Sequence, residues 1–140
     1  MIKYSFVVSA MIFLVGCSQK PQKTRTSYKG LPLIEFCSLP NHQGKEVFTR
    51  AFYSGIVEYW SLSSPTKCKN GFQVDLDIND HYDKMPENFK NVFNKSESFK
   101  YIIVEAVGIF ETGRKGGYGH LGSNNARFLV SELVDVKGVN

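Results

Sequence analysis

Phe72-Gln73-Val74-Asp75-Leu76-Asp77-Ile78-Asn79, followed closely by Met85-Pro86-Glu87-Asn88-Phe89-Lys90-Asn91-Val92-Phe93, is the stretch on which the fold turns. Apolar and polar residues alternate strictly through the first part, the pattern of a strand with one face in a core and the other in water. In the second part Met85, Phe89, Val92 and Phe93 recur at helical spacing and form one apolar stripe. Pro86 suits the first helical position, and Glu87 complements the positive end of the helix. The reading is therefore a strand and then one short helix, near residues 86–95, whose stripe caps a sheet or a barrel.

Upstream, Lys45 to Trp60 is rich in aromatic and β-branched residues, with Val47, Thr49, Ala51 and Tyr53 at period two. Ser54-Gly55 offers a turn or bulge, and a second strand is expected from Val57 to Leu62. Downstream lie two strong strand patterns, Tyr101 to Glu111 and Ala126 to Val136, separated by a glycine-rich loop. Three strands, one helix and two further strands are the order of an OB-fold, a five-stranded Greek-key barrel. The expected class is mainly β, a single small OB-fold-like barrel with one helix. A β-sandwich is the competing architecture, and a lone helix placed late in the chain fits it less well.

The N-terminal part has a different character. Lys3 precedes an apolar run that closes on Leu14-Val15-Gly16-Cys17. That run is shorter than the ~20 residues needed to span a bilayer. One basic residue, an apolar core and a small-residue cleavage site resemble a secretory leader, and Leu14 to Cys17 resembles a bacterial lipobox. The resemblance implies a signal peptide over residues 1–16, cleavage before Cys17, acylation of its thiol and amine with palmitate-type chains, and a lipid-anchored membrane protein of the cell envelope. Ser18 is similar to residues that permit outer-membrane sorting, which favours the outer over the inner membrane in a Gram-negative cell. Residues 17–29, dominated by Ser, Gln, Lys, Pro, Thr and Arg, read as a flexible tether. Residues 30–140 are then the barrel domain, of a size suited to one small core.

Charge and cysteines follow the same division. The net charge of +4 comes largely from Lys3, Lys20, Lys23, Arg25 and Lys29, ahead of the domain, which is itself close to neutral. A basic tether is drawn to an anionic membrane. Nucleic-acid binding needs a clustered basic stripe, so nucleic acid is not an expected partner. Of the three cysteines, Cys17 takes the lipid, which leaves Cys37 and Cys68 in an oxidising compartment where a disulfide is the natural pairing. Two buried thiols are the alternative.

From Gly44 to Val136 the chain resembles a loose group of small bacterial extracytoplasmic proteins of OB-like fold. The likeness rests on Val47 through Tyr53 with Glu58 and Leu62, on Cys68 leading into a short strand, and on Gly117-Tyr118-Gly119-His120-Leu121-Gly122 before the last strand. It implies a fold and brings no activity, substrate or cofactor with it.

Several motifs match in letters and fail in context. Gly117 to Gly122 spells G-x-G-x-x-G, but a strand follows where dinucleotide binding needs a helix. Gly113 to Gly116 mimics a KH loop without its flanking helices. Asp75, Asp77 and Asn79 open like a calcium loop, yet Asp80 replaces the glycine at the sixth position and Pro86 the glutamate at the twelfth. Those residues read better as the solvent face of a strand. His42, His81 and His120 lack metal-ligand spacing, so neither a metal nor a cofactor is expected.

No nucleophile constellation appears, and the expectation is a non-enzymatic module. His120 and Glu58 are the candidate pair: two loops that flank one face of an OB barrel would bring them together, and His120 would then hold the glycine loop at the barrel mouth. Tyr118 and Arg114 are the candidate ligand contacts. The expected function is a binding or structural module with an envelope partner. The runner-up is a binder of an oligosaccharide or peptidoglycan fragment, with Tyr59 and Trp60 available to stack on sugar faces.

Overall fold

The computed structural model describes residues 24–140 apart from Asn70, so the leader, Cys17 and the first part of the expected tether lie outside the described residues. The strands are β1 (Ser27–Tyr28), β2 (Leu31–Glu35), β3 (Glu46–Ile56), β4 (Tyr59–Ser63), β5 (Val74–Asp77), β6 (Tyr101–Thr112) and β7 (Ala126–Val139), with helix α1 (Glu87–Asn94) between β5 and β6. Among the described residues no helix is long and apolar enough to cross a membrane.

Strands β3, β4, β5, β7 and β6 are hydrogen-bonded in that order, and β6 returns to β3, which closes a five-stranded barrel. β5 runs parallel to β7, with Val74 opposite Ala126, and the other contacts around the barrel are antiparallel. This is the OB order of strands, and α1 bridges the third and fourth. β6 and β7 slip register between Glu105 and Ala106 and again between Val107 and Gly108. Such bulges let long strands bend around a small barrel. At Gly108 a Cβ would lie 2.4 Å from the Leu129 carbonyl oxygen, so only glycine permits this approach.

The interior is filled by alternate residues: Val47 and Ala51 of β3, Val74 and Leu76 of β5, Ile102, Val104 and Phe110 of β6, Ala126 and Phe128 of β7. Phe89, Val92 and Phe93 of α1 pack against this core, so this part of the helical stripe closes the barrel as its spacing predicts, while Met85, ahead of the helix, is buried outside the core cluster. The turn expected at Ser54-Gly55 is displaced. β3 continues to Ile56 and the hairpin turns at Val57-Glu58, with Ile56 opposite Tyr59. Gly55 is glycine because a Cβ there would sit 2.2 Å from the Tyr59 carbonyl oxygen.

Cys37, on a 3-10 turn (Phe36–His42), is disulfide-bonded to Cys68 in the β4–β5 loop. In the chain-entropy description, closing such a loop removes ~3 to 4 kcal/mol of unfolded-state freedom.

Residues 24–29, assigned from the sequence to the tether, are folded onto the barrel. The chain reverses at Lys29-Gly30, both at positive φ, and β1 and β2 form a strap beside β3. The Tyr28 ring lies 5.8 Å from that of Phe48. Its hydroxyl donates to Glu132 Oε1 at 2.6 Å, and Lys29 Nζ reaches Glu132 Oε2 at 2.8 Å. Arg25 and Arg50 both pair with Glu105, whose side chain is only 3% exposed. Phe48 faces outward from β3 and is nevertheless fully buried, because the strap covers it.

Candidate functional site

The β3–β4 hairpin and the β6–β7 loop, residues 113–125, meet at one end of the barrel. The hairpin is tight: Trp60 Nε1 donates to the Val57 carbonyl at 2.8 Å, and the indole lies 5.2 Å from the Tyr53 ring. Val57 has φ +57°, a left-handed conformation that β-branched residues rarely adopt. Strain of this kind persists where the surrounding structure enforces it, and it concentrates at functional sites.

The long loop is folded back on itself. Tyr118 and Asn124 exchange backbone hydrogen bonds of 2.8 and 3.1 Å. Gly122 stands at φ +70°, where a Cβ would collide with the Gly116 carbonyl. Tyr118 is buried, with the Arg127 guanidinium 5.5 Å and the Arg114 guanidinium 5.9 Å from its ring centre. Asn124, also buried, donates through Nδ2 to the Trp60 carbonyl at 3.2 Å and so ties the loop to the hairpin. These contacts of Tyr118 and Asn124 pin the loop, a part the sequence reading gave to His120. Tyr118 is packed by these contacts and also lines the cleft beside them.

His120 and Glu58 do meet. Nε2 lies 2.9 Å from Oε2, with the side chains 40% and 65% exposed, and the Tyr59 ring stands edge-on to the imidazole at 5.6 Å. The pair is a surface link between two loops rather than a buried one. Around it stand Ile56, Val57, Tyr59 and Leu121, exposed by 79%, 70%, 55% and 83%. Among the described residues these are the exposed large hydrophobic side chains, and all of them lie on these two loops. Neither spacing nor composition reveals this crown, because in the sequence Ile56, Val57 and Tyr59 continue the pattern of a strand that is otherwise half in the core.

Beside the crown, on the outer face of β5 and β7, a cleft of about 460 Å³ is lined by Asp75, Asp77, Arg114, Tyr118, His120 and Arg127. Arg127 is committed to Asp77 at 3.0 Å and to Glu111 at 2.6 Å. Asp75 is different. Half-buried beneath Gly119, it makes no hydrogen bond or ion pair among the described residues. Burial pushes its carboxyl above the usual range, neighbouring Asp77 adds to the shift, and Arg127 partly offsets it. The sequence reading set Asp75 and Asp77 on a solvent face; they do point outward, and the glycine loop then folds over them. Tyr59 and Trp60 do not line the cleft; its phenol ring is that of Tyr118, which carries the Arg114 and Arg127 guanidinium groups over it.

Comparison of the chain with known protein families, with curated proteins and with solved structures gives no match.

Proposed function

We propose that the protein is a lipid-anchored, non-enzymatic binding module of the bacterial envelope that docks on a protein partner through the apolar crown at the barrel mouth. The carrying observation is the concentration of Ile56, Val57, Tyr59 and Leu121 on two mutually braced loops. Clustered exposed apolar side chains cost solubility and mark interaction surfaces. Tyr59 is of a residue type enriched at the energetic centre of interfaces, and apolar neighbours around such an anchor serve to exclude water. The Tyr118 and Asn124 contacts pre-order the loop, so docking loses little further entropy. Attachment of the module to a membrane rests on Leu14 to Cys17, which lie in the sequence ahead of the folded part.

The test uses the full-length protein in its native cells, with a photo-crosslinking residue at position 56 or 121 and a control at exposed Lys84. A discrete protein adduct from 56 and 121, lost with Val57→Asp and absent from the control, is expected. Absence of adducts, or equal labelling from Lys84, overturns the docking reading.

A further inference from the structure

We propose that the cleft over β5 and β7 is a second site, separate from the docking crown, which binds a small zwitterion carrying a primary ammonium and a carboxylate: a free amino acid or a short peptide.

The inference starts from unspent charge. Asp77, Arg127 and Glu111 satisfy one another across neighbouring strands, so they form a fixed wall with little attraction left for a ligand. Asp75 and Arg114, which line the same cleft, are not satisfied in this way. Asp75 has lost part of its hydration to burial and has gained no donor among the described residues. Arg114 lies over the Tyr118 ring and forms no ion pair among the described residues.

Two opposite charges thus border one cavity without meeting. An ammonium would give Asp75 the charge-assisted hydrogen bonds it lacks, and a carboxylate would take the planar fork of Arg114. A purely anionic ligand would be opposed by Asp75, and a purely cationic one by Arg114. Only a ligand carrying both charges meets both groups. The volume, about 460 Å³, falls in the range of small-molecule sites and suits a molecule of dipeptide size. Gly119 keeps the space above Asp75 clear: a Cβ there would stand 2.9 Å from Oδ1, and the φ of +68° disfavours any side chain.

The probe is glycylglycine, titrated into the full-length protein in detergent and followed calorimetrically. N-acetylglycylglycine, which keeps only the carboxylate, and glycylglycine amide, which keeps only the ammonium, serve as comparisons. The dipeptide is expected to bind about tenfold or more tightly than either analogue, since each loses one charge-assisted contact. Asp75→Asn should weaken the dipeptide by a similar factor without weakening the acetylated analogue, while Arg114→Gln should weaken the dipeptide without weakening the amide. Both substitutions replace side chains without an ion pair among the described residues, and cooperative melting at or above the parent's temperature establishes that each variant is folded. No binding at about 10 mM dipeptide, equal binding of all three compounds, or affinity indifferent to both substitutions overturns the proposal. None of these outcomes bears on the crown, which is read by different residues and a different measurement.

Discussion

His120 and Glu58 make their pair largely in water, and exposure sets its worth. Exposed ion pairs contribute between nothing and about 1 kcal/mol. His120→Ala is therefore expected to change the unfolding free energy by less than about 1 kcal/mol, whereas Asn124→Ala, which removes the buried amide that ties the loop to the Trp60 carbonyl, should cost ~1 to 3 kcal/mol. Urea denaturation of the two variants checks the order, and a larger loss from His120→Ala would return the pinning role to the histidine. Asp75 makes the opposite kind of prediction. Its folded-state carboxyl is raised above the unfolded value, so ionised Asp75 opposes folding at neutral pH and ceases to do so as pH falls below the ordinary carboxylate range. Asp75→Asn should leave the protein as stable or more stable at pH 7, with the difference vanishing in acid. A destabilised Asp75→Asn at pH 7 would show that the carboxylate has a structural partner.

Among the elements, the strap of β1 and β2 is where local sequence misleads most. The polar composition of its first part, residues 24–29, resembles a linker, yet that segment packs Tyr28 on Phe48 and brings Arg25 to Glu105, so its order comes from the barrel it lies on. The buried Glu105 carboxylate depends mainly on Arg50, whose own side chain is largely covered, and less on the half-exposed Arg25. Removing one partner of a buried pair strands a charge at ~3 to 5 kcal/mol, whereas losing an exposed contributor costs about 1 kcal/mol or less. Arg50→Met should thus lower stability by ~3 kcal/mol or more, and Arg25→Met by about 1 kcal/mol or less, in thermal or urea unfolding. Equal effects would place the strap's arginine on the same footing as the barrel's.

In the whole molecule, the proposed docking mouth stands on a barrel that follows an N-terminal segment resembling a lipidation signal. If Cys17 carries the lipid, Cys17→Ala should fail to incorporate labelled palmitate and should wash from membranes in high salt, because basic residues alone give screened, reversible attraction. Salt-resistant membrane retention of that variant would refute anchoring through Cys17. The folded strap begins at Ser27, ten residues after that cysteine, so the linker available to an anchored barrel is shorter than residues 17–29 suggest.

What the sequence determined by itself was the set of elements that bury one face. The alternation at Val74 and Leu76, the stripe at Phe89, Val92 and Phe93, and the long apolar strands from Tyr101 and Ala126 each announce a core-facing period, and their order specified the barrel. Hydrophobic periodicity is local, so a sequence carries it openly. It also placed Glu58 and His120 at the mouth, since barrel topology dictates which loops meet. The rest depended on which surfaces a third element covers. Phe48 is buried on the nominal outer face because the strap lies there, Gly55 stays in β3 because Trp60 approaches it, and Asp75 is half-buried because the glycine loop folds over β5. Each of these is a contact between residues distant in the chain, and solvation at such a position is a property of the assembled fold, which no local pattern encodes.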